Sequence, residues 1–134
     1  MKQLQIPRHI VNQILTHAQI SEEQEICGLI SKKDDEVKHC YPIRNTADDP
    51  VHFFHMDEKS QIDAMRDMRE KDEALFAIYH SHPHSEAYPS ATDIQQSQYP
   101  DAIYLIVSLN TKGVLDLRAY QLVDQDVKTL ELAI

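Results

Sequence analysis

The spacing of apolar positions divides the chain into predicted helices and strands. In some segments apolar residues recur at helical spacing among polar ones; in 57–74, Ile62, Met65 and Met68 recur among charges and predict one buried stripe. Elsewhere, runs rich in β-branched and aromatic residues are bounded by turn residues and predict strands. The predicted helices are 7–20, 57–74 and 91–98. The predicted strands are 26–32, 37–43, 51–56, 75–82, 102–109, 114–123 and 127–133.

These elements predict an α/β fold. The run 102–109 is the most apolar in the chain and predicts a central strand. A turn predicted over 110–113 returns the chain as the alternating strand 114–123, so these two strands form a hairpin. Helices and strands interleave around one sheet, which predicts a mixed sheet flanked by helices, in which antiparallel pairs are frequent.

Length and composition exclude several functions. A chain of 134 residues with 42% hydrophobic residues can bury one core, so we expect a single domain over 1–134. The net charge of −9 leaves no basic stripe for nucleic acid or an anionic membrane. Only Gly28 and Gly113 are glycines, which excludes a Gly-rich phosphate loop. No run reaches the roughly 20 apolar residues of a membrane span. The first residues lack the pattern of a signal peptide, so we expect a cytoplasmic protein.

The two cysteines are expected to be free thiols. In a hairpin centred on the turn between the first two strands, Cys40 faces Leu29 rather than Cys27, and a disulfide would need a register shift. Two cysteines are also too few for a disulfide framework or a Cys-based zinc site. We interpret Cys27 as a small buried core residue rather than a nucleophile.

The segment 80–93 concentrates residues that can bind a metal. Strand alternation puts His80 and His82 on one face, which suits two ligands of one ion. At the start of the next predicted helix, Ser90 and Asp93 share a face at i, i+3 spacing. Two imidazole nitrogens and one carboxylate oxygen leave one position of a tetrahedral zinc open for water, the pattern of a catalytic site. Alone, however, His-x-His is weak evidence, and Ser-x-x-Asp also predicts a helix N-cap.

Together these residues resemble a known signature. His80-Ser81-His82-Pro83, followed after seven residues by Ser90-Ala91-Thr92-Asp93, is similar to the His-x-His-Pro and Ser-x-x-Asp motif of the JAMM (MPN-plus) zinc metalloproteases. Glu25-Ile26-Cys27-Gly28 matches the Glu-x-Cys-Gly context that the family has on an early strand. Ala77 and Ser31 stand where many members have glycine, and neither changes a ligand. The similarity extends over nearly the whole chain and indicates the short prokaryotic stand-alone type.

The resemblance implies an MPN/JAMM fold, cytidine-deaminase-like, and a role for each motif residue. His80, His82 and Asp93 would hold Zn²⁺, with water as the fourth ligand. Glu25 would take a proton from that water and pass it to the leaving amine. Ser90 would donate to the oxyanion of the tetrahedral intermediate. Histidines outside the motif are expected at the surface, namely His9, His17, His39 and His84.

The resemblance also implies a substrate class. JAMM enzymes hydrolyse peptide or isopeptide bonds after the C-terminal tail of ubiquitin-like proteins, and an extended Gly-Gly tail can add to a sheet edge. Short stand-alone members resemble enzymes that process ubiquitin-like sulfur-carrier proteins, so we expect such a carrier as the partner. The sequence leaves open the bond type and the oligomeric state, a homodimer included.

Two other functions are consistent with parts of the sequence. A non-catalytic MPN-type scaffold or protein-binding module has the same fold, but such relatives typically lose the ligand set that is intact here. A deaminase-type zinc hydrolase needs a Cys-x-x-Cys pair, which this sequence lacks. Within the run 21–25, only the Cys-Gly context distinguishes Glu25 from Glu22 and Glu23 as the proton-transfer residue.

Overall fold

The structure, a computed structural model, describes residues 3–110, 113–114 and 116–134. Helices and strands alternate along the chain much as their spacing predicts. The helices are α1 (Arg8–Ile20), α2 (Glu58–Glu70) and α3 (Ala91–Gln96). The strands are β1 (Leu4–Gln5), β2 (Cys27–Lys33), β3 (Glu36–Ile43), β4 (Ala74–His82), β5 (Ile103–Ser108), β6 (Asp116–Val123), β7 (Asp126–Leu130) and β8 (Leu132–Ala133).

Within the described ranges, six strands form a mixed sheet in the order β3-β2-β4-β5-β6-β7. The central strands β4 and β5 pair in parallel, and the other neighbours pair antiparallel. Every residue of β5 is buried, and β6 pairs with it, so the predicted central strand and its hairpin partner are confirmed. The predicted α/β class with a mixed sheet is also confirmed. Separately, β1 pairs in parallel with β8.

Apolar side chains pack on both faces of the sheet. On one face, α1 contributes Ile10 and Ile14 to a cluster that includes Tyr79 of β4. On the other face, Met68 of α2 packs in a cluster that includes Ile78 of β4. Because side chains alternate along a strand, β4 supplies both clusters. The sheet therefore has a helix-covered core on each side, and β4 contributes to both.

The first hairpin has the predicted strands but a different register. Cys40 pairs with Ile30, one residue from the predicted Leu29. The reason is a bulge opposite Ile30–Lys32, where β3 has one more residue than β2. Both cysteines are free, as predicted, and Cys27 is fully buried.

The strand predicted over 51–56 is wrong. These residues form a turn and an irregular segment, with an isolated bridge between Asn45 and Met56. The Asn45 side chain takes the place of a strand partner, since its Nδ2 donates to Phe53 O (3.0 Å) and its Oδ1 accepts from His55 N (3.0 Å). Side-chain hydrogen bonds of this kind compete with a sheet ladder for the same backbone groups.

Two other expectations need adjustment. On α2 the buried residues are Ala64 and Met68, while Ile62 is 57% exposed, because the face that meets the sheet follows i, i+4 spacing. The last predicted strand divides into β7 and β8, which pair with different partners. The turn predicted over 110–113 includes residues outside the described part of the chain. Among the described residues, no helix combines the length and apolar character that a bilayer crossing requires.

Candidate metal centre

The two histidines of the motif lie where β4 ends at the middle of the sheet. Strand alternation puts His80 and His82 on the same face as Ile78, as their spacing predicts. Both side chains are buried, at 1% and 3% exposure. Because β4 runs parallel to β5, the chain must cross over between these strands, and the crossover contains the loop 83–89 and α3. The second half of the motif is thereby returned to the end of β4.

The start of α3 brings Asp93 to the histidines. Ser90 Oγ accepts a hydrogen bond from Asp93 N (3.0 Å), and Asp93 Oδ2 accepts one from Ser90 N (2.9 Å), which together form a capping box. The interpretation of these residues as a helix cap is therefore confirmed. The same cap fixes the carboxylate oxygen that faces the imidazoles, so the capping and site interpretations are compatible.

Three potential ligand atoms form a small triangle. His80 Nε2 and His82 Nε2 are 3.0 Å apart, and Asp93 Oδ2 lies 3.1 Å and 3.2 Å from them. Bonds of about 2.0–2.1 Å to a tetrahedral zinc place ligand atoms about 3.3 Å apart. The donor set and its spacing therefore fit a zinc ion.

The tautomer of His82 follows from the hydrogen bond of its Nδ1 atom. His82 Nδ1 lies 2.7 Å from Glu86 O, and since a carbonyl can only accept, Nδ1 carries the hydrogen and donates it. In the neutral ring, Nε2 then presents a lone pair to Asp93 Oδ2, another acceptor. Two acceptors at this distance require a proton or a cation between them. Burial alone would lower the pKa of His82, but contacts with Asp93 and Glu86 outweigh it and raise that pKa.

His80 is oriented by packing. Its Nδ1 is buried and has no hydrogen-bond partner among the described residues. Its ring instead stacks on Phe54, with ring centres 4.4 Å apart and planes inclined by 26°. Burial lowers the pKa of His80, which favours the neutral imidazole that binds metals.

Glu25 is the glutamate of the run 21–25 that reaches the histidines. Glu22 and Glu23 are exposed, whereas Glu25 is 6% exposed and offers a carboxylate oxygen within 4.8 Å of the ligand atoms of His80 and His82. Its Oε1 has no partner in the described part of the chain. Burial raises the pKa of Glu25 to about 8. A carboxyl group with such a pKa can both accept and release a proton near neutral pH.

Two supporting residues were not predicted as part of the site. Phe54 stacks on His80, and Asn45 Nδ2 donates to Glu25 O (2.9 Å) while its other hydrogen bonds hold the loop that carries Phe54. The pair of adjacent phenylalanines at 53–54 was the available signal for Phe54. An isolated asparagine carries no such signal, because its contacts are with backbone atoms.

The structure also places one cysteine and four histidines whose positions were predicted from the sequence. Cys27 lies in the core, and burial raises the pKa of its thiol to about 12, which is consistent with an inert residue. His84 is exposed, 3.3 Å from Glu23 Oε2. His17 is half-buried and 2.8 Å from Tyr79 Oη, so its prediction as a surface residue is wrong. His9 and His39 are exposed, as expected.

A groove of about 580 Å³ opens beside the histidines. His80 and Asp93 line it, and so do four phenylalanine and tyrosine residues, namely Phe53, Phe54, Tyr99 and Tyr104. The groove thus connects the candidate metal position to the surface.

Comparison with known proteins identifies similar sequences. The family described as prokaryotic homologs of the JAB domain matches residues 7–123. The CysO-cysteine peptidase of Mycobacterium tuberculosis is 35% identical over 123 residues, which cover 90% of this chain and 84% of that protein. The desampylase of Haloferax volcanii is 30% identical over 86 residues, which cover 63% of this chain and 62% of that protein.

Solved structures are similar as well. A protein of Desulfitobacterium hafniense has a TM-score of 0.85 at 28% identity, with 96% of this chain and 90% of that chain covered. A JAB1/MPN domain protein of Archaeoglobus fulgidus has a TM-score of 0.61 at 16% identity, with 99% and 100% covered. The second similarity is one of fold, and it agrees with the mixed sheet and helices described above.

Proposed function

The chain belongs to the prokaryotic homologues of the JAB domain and is a metallopeptidase, and we propose that it hydrolyses the bond after the C-terminal tail of a ubiquitin-like carrier protein. The observation that carries the chemistry is the triangle of His80, His82 and Asp93 with the buried carboxyl group of Glu25 beside it. The substrate class is supported by the relatives, a CysO-cysteine peptidase and a desampylase. The names of both relatives refer to the cleavage of particular protein conjugates.

His80, His82 and Asp93 would hold one Zn²⁺. The spacing of their ligand atoms, the neutral state favoured for His80 and the Nδ1–H donation of His82 support this assignment. Bound zinc supplies a water of pKa about 7 and polarises the scissile carbonyl. Three protein ligands leave the fourth position available for that water.

Glu25 and Ser90 would handle the proton and the developing charge. Glu25 is near enough to accept a proton at the centre, and its raised pKa lets it return that proton to the leaving amine. Ser90 Oγ already accepts from Asp93 N, so its own hydroxyl hydrogen is free to donate. A donor there would stabilise the oxyanion of the tetrahedral intermediate.

The substrate tail is proposed to be extended and to end in Gly-Gly. The groove reaches His80 beside Phe54, whose ring stacks on that histidine, so a substrate residue next to the centre would meet this pair of rings. A backbone without side chains suits such a passage, and strand-like binding would supply hydrogen bonds.

The JAB-type domain is proposed to extend over 1–134, beyond the matched residues 7–123. Leu4 of β1 pairs with Leu132 of β8, and both side chains pack against the core cluster to which α1 contributes. This packing supports a single unit that includes the described residues outside the match. All five candidate site residues come from one chain, so a homodimer is not needed to complete the centre.

The direct test uses a ubiquitin-like carrier that ends in Gly-Gly and bears either a C-terminal cysteine or a lysine isopeptide, with product mass read by intact-protein spectrometry. We expect release of the added group and loss of that release in the His80→Ala/His82→Ala variant, which should also lose zinc. Replacing the two glycines by Ala or Val should abolish cleavage. Stable binding of the carrier without cleavage by zinc-loaded protein would favour the scaffold function instead.

A further inference from the structure

The loop 83–89, between the two halves of the motif, is held by side chains from outside the motif. It has no regular secondary structure in the described part of the chain. Ser108, the last residue of β5, donates its hydroxyl hydrogen to Ser85 O (2.6 Å). Tyr120 of β6 donates its hydroxyl hydrogen to Ala87 O. The two anchored carbonyls are those immediately before and after Glu86.

The carbonyl between these anchors orients a proposed metal ligand. Glu86 O accepts from His82 Nδ1 at 2.7 Å and from Tyr88 N at 2.8 Å. The position of this oxygen decides the direction in which the His82 ring turns, because the Nδ1–H bond fixes both the tautomer and the plane. A loop that shifted at residues 85 or 87 would move the oxygen away from Nδ1.

The anchors are built into the sheet. Ser108 and Tyr120 are 4% and 2% exposed, and Ser108 pairs directly with His82 across the central parallel strands. The ring of Tyr120 also packs edge-on against Tyr88, with centres 5.5 Å apart. A phenylalanine would fill the same space, so the buried hydroxyl group of Tyr120 serves the loop carbonyl rather than the packing.

We propose that Tyr120 and Ser108 are positioning residues that act through the Glu86 carbonyl to hold His82 Nε2 toward the metal. This inference rests on the proposed metal centre. Hydrogen-bond partners of ligating histidines typically contribute about 10–100-fold to metal affinity. Tyr120 and Ser108 are one hydrogen bond further from the metal than the Glu86 carbonyl is. We therefore expect each of them to contribute an effect on zinc affinity at the lower end of that range.

The test compares zinc affinity in Tyr120→Phe and Ser108→Ala with that of the wild-type protein, by competition with a chelator. We expect binding about 10-fold weaker in each variant. The matched control is Tyr79→Phe, which removes another buried hydroxyl group from the same sheet, one that contacts His17 and Cys40 on the opposite face. This control should lose a comparable hydrogen bond and keep wild-type zinc affinity.

A second readout does not depend on zinc. In metal-free protein, the His82 Nδ1–H proton should give a protected imidazole signal in ¹H–¹⁵N NMR spectra, which shifts or is lost in Tyr120→Phe and is unchanged in Tyr79→Phe. Zinc affinity in both Tyr120→Phe and Ser108→Ala within about twofold of wild type would overturn the inference, and so would an equal loss in Tyr79→Phe. If wild-type protein binds no zinc, the proposed centre is wrong, and the NMR comparison alone decides whether these residues position His82.

Discussion

At the residue scale, the candidate centre brings together groups that would repel one another without a proton or a cation. His82 Nε2 and Asp93 Oδ2 are both acceptors, 3.2 Å apart. The buried Oε1 of Glu25, which has no hydrogen-bond partner among the described residues, lies nearby. Burial alone would raise the pKa of Asp93, but the facing imidazoles and the Ser90 N–H hold it below its usual range. For Glu25, burial raises the pKa by more than the nearby His82 lowers it, so the net shift is upward.

Glu25→Gln separates the role of this charge in folding from its role in catalysis. A carboxyl group whose pKa rises on folding destabilises the folded state as pH increases from its unfolded pKa, near 4.5, through its folded pKa of about 8. In metal-free protein we therefore expect Glu25→Gln to be more stable than wild type at about pH 9, by about 1–3 kcal/mol, and nearly equal at about pH 4. Denaturant unfolding at both pH values measures this difference.

With zinc present, the same variant should keep the metal and lose about 10²–10⁴-fold in turnover, because the amide cannot transfer the proton. Glu22→Gln and Glu23→Gln are matched controls on exposed neighbours and should change neither quantity. An unchanged rate in Glu25→Gln would assign the proton transfer to another carboxyl group.

Gly28→Ala tests the other face of the same strands. A Cβ at position 28 would overlap the Tyr79 ring, whose hydroxyl group is held by His17. Because Tyr79 is fully buried, the ring has no free direction in which to move, and we expect a loss of about 1–3 kcal/mol in unfolding free energy. In a Tyr79→Ala background the same substitution should have almost no further effect, which a double-mutant cycle measures. An equal loss in both backgrounds would rule out the overlap.

At the element scale, the segments that the sequence predicts correctly are those whose backbone hydrogen bonds lie in sheet ladders. Strands β2 to β6 are paired in the sheet, and pairing in a sheet with buried faces requires apolar residues at regular positions. The sequence has this pattern, so these strands could be predicted. The segment 51–56 has a similar pattern but is held by the Asn45 amide group, so the pattern alone misassigned it. Likewise, the motif identified the candidate ligands from side-chain type. The Glu86 carbonyl that orients His82 is a backbone atom, and no residue type identifies it in advance.

Asn45→Ala should loosen this loop more than the rest of the fold. The side chain donates to Glu25 O and Phe53 O and accepts from Ala47 N and His55 N, so its removal leaves four backbone groups without that partner. We expect a loss of about 2 kcal/mol or more in unfolding free energy. Amide hydrogen exchange should become faster across 46–55 and stay unchanged in β5.

The matched control is Asn12→Ala, which removes an exposed asparagine from α1 and should leave exchange in 46–55 unaltered. Activity should also fall in Asn45→Ala, because the loop carries Phe54 and its anchor contacts Glu25. Unchanged amide hydrogen exchange across 46–55 would show that contacts other than those of the asparagine hold this segment.

At the scale of the whole molecule, the candidate centre is attached to a fold that does not need it. Apolar clusters cover both faces of the sheet, and the proposed ligands occupy only the end of β4 and the start of α3. This differs from small zinc domains, whose cores are too limited to fold without metal. Zinc should therefore add stability to a protein that is already folded.

Removal of zinc should lower the unfolding temperature and leave a cooperative transition. An ion that binds only the folded state stabilises it according to its concentration relative to Kd, by about 2.7 kcal/mol at 100 times Kd. The increment should shrink below about pH 6, where protons compete for the imidazoles of His80 and His82. Calorimetry with zinc and with a chelator, at neutral and at acidic pH, measures both effects.

His80→Ala/His82→Ala should unfold at one temperature regardless of zinc, since the variant retains both cores and lacks the imidazole ligands. A non-cooperative transition in metal-free wild type would mean that the metal organises the sheet, and an equal zinc shift in the double variant would place the ion elsewhere.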